Sequence, residues 1–316
     1  MFNKRKNIIR VLEDNHTYLY DLDVTKVDAI KMGERRKGMK VSLMSDAMMK
    51  AMFQNESRIK YSAKLLSYFI NVSYEELLKN MHLDKNELDK DKEFSKGERA
   101  DFVADIGDAK ISIEVNNNSG AEIMERNIDF SNRLYSSKVK RGKTEEGNNY
   151  EFTNTIQLNI NNFAFVGNDK IIDIYGIQND VKIRLSDKNI IIQIYIPNLM
   201  KKWYTEGIEK LTECEKYLIA LVEEDIEKLK EFGDDEIMSE YIKEAEDVSF
   251  ESSIGEAYDK ELALKEEARK DGIKMGLEQG SLSEKHKIAK SLLEKNVDIN
   301  IISESTGLSI EEINSL

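Results

Sequence analysis

Two acidic side chains and an amide stand close together in the chain, between residues 98 and 116. They are Asp101, Glu114 and Asn116. Oxygen atoms of this kind are the ligands that hard divalent cations such as Mg²⁺ prefer, and Mg²⁺ keeps several waters beside one or two carboxylates. A fold that brings these side chains together would therefore form a magnesium site.

The hydrophobic pattern of this stretch predicts how the side chains are positioned. Apolar and polar residues alternate with a period of two over residues 100–106 and again over residues 111–116. This alternation is typical of β-strands that bury one face. A tight turn between the two strands makes them a hairpin, which brings either Asp101 or Asp105 beside Glu114 on one surface.

An Asp followed about a dozen residues later by Glu-x-Lys is the core of the PD-(D/E)XK nucleases, and this stretch resembles it. Asp101 and Glu114 match the acidic positions, and Asn116 stands where the lysine would be. A Gln at that position marks one branch, the PD-(D/E)XK nuclease family transposases, also called Rpn-type recombination-promoting nucleases. The segments that are similar to this branch are Glu98-Arg99-Ala100-Asp101, Glu125 to Ser136, and Ile156 to Ile160.

The resemblance implies a fold and an activity. The expected fold is α/β, a restriction-endonuclease-like core with a mixed central sheet flanked by helices, followed by an all-helical C-terminal region. The implied activity is hydrolysis of phosphodiester bonds by a metal-dependent DNA endonuclease, in which Asp101, Glu114 and the backbone carbonyl of Val115 hold Mg²⁺ or Mn²⁺. Asn116 is neither a base nor a cation, so it would position the attacking water by hydrogen bonding alone. The resemblance also implies a homodimer.

The resemblance further implies basic residues that contact nucleic acid. They are Arg99, Arg126, Arg133 and Lys138. The last three belong to a predicted helix over residues 121–140, where the two arginines are seven residues apart and share one stripe. The alternative is a solvated helix face with intrahelical ion pairs such as Asp129–Arg133.

Three further polar residues are candidate accessories to the site. Asp46 starts a predicted long helix that runs to Phe69 and could face the metal, although an aspartate there is more often a cap. Asp105 is the second aspartate of the hairpin. Gln157 lies on a predicted strand over residues 155–161, on the side opposite its apolar residues.

Charge and composition limit the class of protein. The formal net charge is −13, and residues 206–270 hold 22 acidic and 9 basic residues, so this segment accounts for the whole excess. The remainder is neutral, which leaves room for a basic groove near the candidate site. The one cysteine, Cys214, excludes an internal disulfide and a cysteine metal cluster. Three scattered histidines disfavour a zinc site.

Composition also predicts location and the division of the chain. No apolar run is long enough to span a bilayer, and the N-terminus lacks the apolar stretch of a secretory signal, so we expect a cytoplasmic protein without membrane contacts. We expect four parts, which are an N-terminal arm, the nuclease-like core, an acidic helical region, and a glycine-spaced linker with a small helical unit. Their boundaries are 1–40, 41–200, 201–270 and 271–316.

Two other hypotheses remain open. In the first, the fold is kept but catalysis is weak or lost, and the protein binds nucleic acid or a protein partner in regulation or phage–host defence. The acidic helical region would then be a surface that binds a protein partner or mimics DNA. In the second, the polar hairpin residues form a solvated sheet face, and the chain is an interaction protein without a site. The order of motifs along most of the chain argues against the second.

Overall fold

The computed structural model describes residues 24–26, 38–84, 100–107, 109–117, 119, 121–136, 140–141, 150–151, 154–165, 167–178, 182–233 and 235–316. Its strands are β1 Val24–Lys26, β2 Met81–Leu83, β3 Phe102–Ile106, β4 Ala109–Asn116, β5 Lys140–Arg141, β6 Tyr150–Glu151, β7 Asn154–Asn161, β8 Phe163–Phe165, β9 Ile172–Tyr175 and β10 Asn189–Tyr195. Its α-helices are α1 Asp46–Met52, α2 Ile59–Ser67, α3 Tyr74–Asn80, α4 Ala121–Ser136, α5 Ile196–Glu206, α6 Glu213–Val222, α7 Glu236–Ser249, α8 Ser252–Glu294, α9 Ile299–Thr306 and α10 Ile310–Asn314.

A six-stranded mixed sheet organises the first part of the chain, with strand order β2-β3-β4-β7-β10-β9. The three central strands β4, β7 and β10 run parallel to one another. The strands on both sides of them pair antiparallel. Parallel neighbours need a long crossover connection, and the segment that contains α4 supplies it between β4 and β7.

One face of the sheet is apolar and carries the main core. Its strands contribute alternate residues that include Ile111, Ile113, Leu158, Ile160, Ile192 and Ile194. Helices α1, α2, α6 and α7 contribute buried side chains to the same cluster. Helices α6 and α7 lie in the segment with the acidic excess, so that segment supplies part of the core of the sheet as well as charge.

The other face of the sheet is polar and just as deeply buried, because α4 packs over it. Its buried residues on β4, β7 and β10 are Ser112, Glu114, Asn116, Gln157, Asn159, Asn161 and Gln193. Helix α4 adds Asn127 and Ser131 to this layer. A sheet covered on both faces usually has two apolar faces, so this polar layer between α4 and the sheet is the unusual feature of the fold.

The single long helix predicted from Asp46 to Phe69 is wrong. The chain leaves α1 after Met52, forms a 3-10 turn at Glu56–Arg58 and enters α2 at Ile59. The side chain of Asn55 accepts a hydrogen bond from the backbone N–H of Ser57 at 3.0 Å. An asparagine side chain that accepts from the backbone two residues further on offers the chain an alternative to a continuous helix.

The chain divides into two compact units, of which the first reaches Tyr258 and the second runs from Asp259 to Leu316. In the second, α9, α10 and the end of α8 enclose a small core of Ala289, Ile302, Leu308 and Ile313. The domain boundaries expected from composition at residues 40, 200 and 270 remain predictions. Among the residues that the structure describes, no helix has both the length and the apolar character needed to cross a membrane.

Candidate active site

The register of the hairpin brings Asp101 to Glu114. Strands β3 and β4 pair Phe102 with Ile113, so the next residue outward on each side, Asp101 and Glu114, adjoin. The Asp101 carboxylate accepts a hydrogen bond from the backbone N–H of Val115 at 2.8 Å. This bond fixes one carboxylate beside the strand that carries the other.

Of the two aspartates left open by the sequence, Asp105 lies away from the site. It pairs across the hairpin with Lys110, whose Nζ is 3.3 Å from its carboxylate. Lys110 also forms an ion pair with Asp84. Lys110 and Glu114 are four positions apart along β4, a distance of about 13 Å, so Asp105 lies away from Glu114, and its accessory role stays a prediction.

Glu114 lies on the polar face of the sheet, under α4. Its side chain is 3% exposed, and a guanidinium nitrogen of Arg126 from α4 lies 3.9 Å from its Oε2. The Arg126 side chain is 56% exposed. Arg126 therefore reaches from solvent to the edge of the carboxylate pair.

Several charges act on Asp101. Burial raises the pKa of its carboxyl group above the ordinary value, and the N–H of Val115 opposes that rise. Repulsion by Asp46 raises the pKa further, while Arg126 and Lys50 lower it. A buried carboxylate with a perturbed pKa and specific charged neighbours is a common feature of functional sites.

Two side-chain amides connect α1 and the loop before it to the hairpin. Gln54, just beyond α1, donates a hydrogen bond to the backbone carbonyl of Asp101. Asn117, just after β4, donates to the carbonyl of Met44 at 2.7 Å. Asp46 is the first residue of α1 rather than its cap, and its carboxylate pairs with Lys50 one turn later.

Asn116 is part of a ladder of amides within the polar layer. Its Nδ2 donates to Asn161 Oδ1 at 2.9 Å, and its Oδ1 accepts from Asn127 Nδ2 at 3.1 Å. Asn161 Nδ2 in turn donates to Gln193 Oε1 at 2.8 Å. The amide ladder therefore joins α4 to the three parallel strands, and both polar atoms of Asn116 are engaged in it.

The amide of Gln157 is also buried in this layer, next to the site. Its Nε2 donates to the carbonyl of Asn127 at 3.0 Å and to Asn159 Oδ1 at 2.9 Å. Asn159 in turn is the partner of Glu114 in the parallel register. Within the described part of the chain, buried polar atoms without a hydrogen-bond partner in this layer are Ser112 Oγ, Asn127 Oδ1, Gln157 Oε1 and Asn159 Nδ2. Such atoms are rare in folded proteins, and each calls for an explanation.

The basic residues expected to contact nucleic acid differ in their positions and partners. Arg126 lies at the site, as described above. Arg133, two turns further along α4, has its Nε 2.9 Å from Asp129 Oδ2, which is the intrahelical ion pair considered as the alternative. Arg99 and Lys138 lie outside the described residues.

Sequence reasoning missed three members of the amide ladder. These are Asn127, Asn161 and Gln193. The signal was the alternation of Gln157, Asn159 and Asn161 along one strand, which marks a polar face. Alternation alone does not say whether a polar face meets water or a helix.

The residues present fit a magnesium or manganese ion. Asp101 and Glu114 supply hard oxygen ligands from neighbouring strands, and Mg²⁺ needs only one or two carboxylates because it keeps waters and takes substrate phosphates. Among the described residues, no group of three or more His, Cys, Asp or Glu side chains could hold a metal ion. Two carboxylates that leave positions for waters and substrate phosphates correspond to an open site.

A mixed sheet flanked by helices, with Asp101 just before β3 and Glu114 on the paired strand β4, defines a restriction-endonuclease-like α/β core. The family model described as PD-(D/E)XK nuclease family transposase matches residues 43–272. The chain belongs to this family, and the fold class and family expected from the sequence are confirmed. Neither the curated proteins nor the solved structures gave a match to the chain.

Proposed function

We propose that this protein is a metal-dependent DNA endonuclease whose site is formed by Asp101 and Glu114. The observation that carries the proposal is the position of Asp101, just before β3, beside Glu114 on the paired strand β4, in a chain of a nuclease family. A bound Mg²⁺, or Mn²⁺ in its place, supplies a Lewis acid that lowers the pKa of water and offsets charge on the phosphate.

The chain's own residues have separate tasks in this proposal. Asp101, Glu114 and the carbonyl of Val115 hold the ion, and the N–H of Val115 keeps Asp101 in place. Helix α4 closes the inner side of the site against bulk water, so charges there interact more strongly than in solvent. Asn116 fixes α4 to the sheet through the amide ladder, instead of orienting the water as the sequence suggested.

A second candidate function has one observation in its favour. The lysine position holds Asn116, which carries no charge and whose amide atoms are both engaged. A chain that keeps the fold and the acidic pair without that lysine would bind nucleic acid without cutting it. Binding of a protein partner to the acidic segment and formation of a homodimer also remain proposals.

Cleavage of supercoiled and linear DNA with Mg²⁺ or Mn²⁺ tests the first candidate. Asp101→Ala and Glu114→Ala should lose cleavage, while Asp105→Ala serves as the matched control, because it removes a carboxylate from the same hairpin away from the site. DNA binding is measured in parallel in Ca²⁺. Binding without cleavage by the unmodified protein would favour the second candidate, and cleavage that survives both site variants would exclude the first.

A further inference from the structure

We infer that Arg126 is a catalytic residue, whose guanidinium supplies from α4 the positive charge that the motif's lysine would supply from β4. The inference deepens the proposed function and rests on it. It assigns Arg126 a task in the reaction itself, beyond the general contact with nucleic acid that the family resemblance implies.

The reaction needs a cation at the phosphate. A water oxygen bonds to phosphorus while the bond from phosphorus to the leaving ester oxygen breaks. One water proton passes to solvent, and the leaving oxygen takes a proton from solvent, which gives a phosphate monoester and an alcohol. Negative charge on the phosphate oxygens is stabilised by preorganised cations, which are worth most in a site shielded from water.

Asn116 does not supply this charge. It is neutral, 2% exposed, and hydrogen-bonded through both amide atoms to Asn161 and Asn127. An exchange of these partners for a phosphate oxygen would leave buried amide groups of the ladder unsatisfied, which is costly. The task of the motif's lysine therefore falls to a different residue.

Arg126 has the position and the chemistry for the task. Its guanidinium lies 3.9 Å from Glu114 Oε2, and more than half of its side chain is exposed, so a phosphate can reach it. A guanidinium stays charged at every working pH and presents five donors in a planar fork that matches phosphate oxygens. The other cations near the hairpin are less suitable, since Lys50 pairs with Asp46 and Lys110 with Asp84 and Asp105.

The amide ladder holds this arginine in register. Asn127, the next residue of α4, donates to Asn116 and accepts from Gln157 through its backbone carbonyl. These two bonds, both within the buried layer, connect α4 to β4 and to β7. Because Arg126 is covalently joined to the anchored residue, its backbone is fixed relative to Glu114. Asn116 is thus a positioning residue that acts through α4.

The test compares Arg126→Ala and Arg126→Lys with Arg133→Ala and Lys50→Ala. Arg133→Ala is the matched control, since it removes the same side chain from the same helix, where it pairs with Asp129. Single-turnover cleavage in Mg²⁺, DNA affinity in Ca²⁺, and the shift of melting temperature by Ca²⁺ alone are measured for each variant. The last readout requires no activity.

We expect Arg126→Ala to slow cleavage by about 100-fold or more, with DNA affinity within about 3-fold of the unmodified protein. Arg126→Lys should recover part of the rate. Arg133→Ala should slow cleavage far less than Arg126→Ala does. Ca²⁺ should stabilise Arg126→Ala more than the unmodified protein, because a positive charge next to Glu114 is removed.

Three results would overturn the inference. One is equal cleavage by Arg126→Ala and Arg133→Ala. Another is a parallel loss of cleavage and DNA affinity in Arg126→Ala, which would make Arg126 a phosphate anchor only. The third is a large loss in Lys50→Ala with none in Arg126→Ala. All three leave the proposed nuclease function standing, whereas absence of cleavage by the unmodified protein overturns both.

Discussion

At the scale of single residues, burial of the charged Asp101 carboxylate lowers the free energy of unfolding. Burial raises its pKa, so the folded chain takes up a proton more readily than the unfolded chain. Asp101 therefore favours folding at low pH, and this contribution is lost as pH rises through its folded pKa. Asp101→Asn should raise the melting temperature at neutral pH, and the gain should shrink as pH falls through the carboxyl range.

Asp105→Asn is the control for this prediction. It removes an ion pair between Asp105 and Lys110 across the same hairpin, so it should lower stability at neutral pH by about 0.5–1 kcal/mol. Thermal unfolding of both variants at neutral and acidic pH measures the difference. A loss of stability in Asp101→Asn at neutral pH would show that burial of the charged Asp101 carboxylate does not destabilise the fold.

Asn116 stabilises the fold through its two hydrogen bonds in the amide ladder. Asn116→Ala removes two hydrogen bonds and leaves polar groups of Asn161 and Asn127 unsatisfied in the buried layer. We expect a loss of about 2–4 kcal/mol in the free energy of unfolding, measured with urea. Asn132→Ala removes one hydrogen bond of an exposed residue of α4 and should cost less than about 1 kcal/mol. Equal losses in the two variants would argue against the ladder.

Because Lys40 is buried, we expect the stability of the fold to depend on pH above neutrality. Its burial lowers the pKa to about 7, against the attraction of Glu224 and Glu223, and its Nζ donates to the carbonyl of Leu221 at 3.3 Å. In the unfolded chain Lys40 keeps this proton up to the ordinary lysine pKa of 10.5. Stability should therefore rise with pH between these two values, by at most about 1.4 kcal/mol per pH unit.

Lys40→Met tests this dependence, because it removes the titrating group and keeps the apolar stem. Urea unfolding between neutral and alkaline pH should then lose that part of the slope. Lys60→Met is the control, since Lys60 is far less buried than Lys40 and pairs with Glu240. A slope that is the same in Lys40→Met and in the unmodified protein would show that other groups cause it.

At the scale of elements, the strands and helices that follow from a local period of apolar residues were predicted from the sequence. The hairpin, the helix that follows it and the strand at 154–161 all have apolar residues at periods of two or 3.6, and these periods match the strands and the helix that form. The choice between Asp101 and Asp105 was left open, because register depends on the pairing of whole strands. The break at Asn55 was missed, since the apolar positions on both sides continue a helical pattern.

The burial of the polar layer could not be predicted from the pattern of a single strand. Polar residues that alternate on one face of a strand usually meet solvent. Here the face is covered by α4, whose Asn127 and Ser131 are buried against it. Only the contact between two elements distant in sequence distinguishes a solvated face from a buried amide ladder.

At the scale of the whole molecule, the site and its supports lie within the first compact unit. The acidic pair, α4, the sheet and the main core all precede Tyr258, whose hydroxyl donates to Glu224 at 2.7 Å. A chain that ends after Tyr258 should therefore fold cooperatively and keep its stabilisation by Ca²⁺. Calorimetric unfolding with and without Ca²⁺ measures both properties. An unfolded truncated chain would mean that residues 259–316 are needed for the fold of the site.

The most direct test of a metal site at Asp101 and Glu114 is the dependence of DNA cleavage on Mg²⁺ concentration. The unmodified protein should convert supercoiled DNA to nicked and linear forms at a rate that rises with Mg²⁺ and vanishes when the ion is chelated. Glu114→Gln, which keeps the shape of the side chain and removes a ligand charge, should slow cleavage by about 100-fold or more. Cleavage that persists after chelation, or an unchanged rate in Glu114→Gln, would contradict a metal site at Asp101 and Glu114.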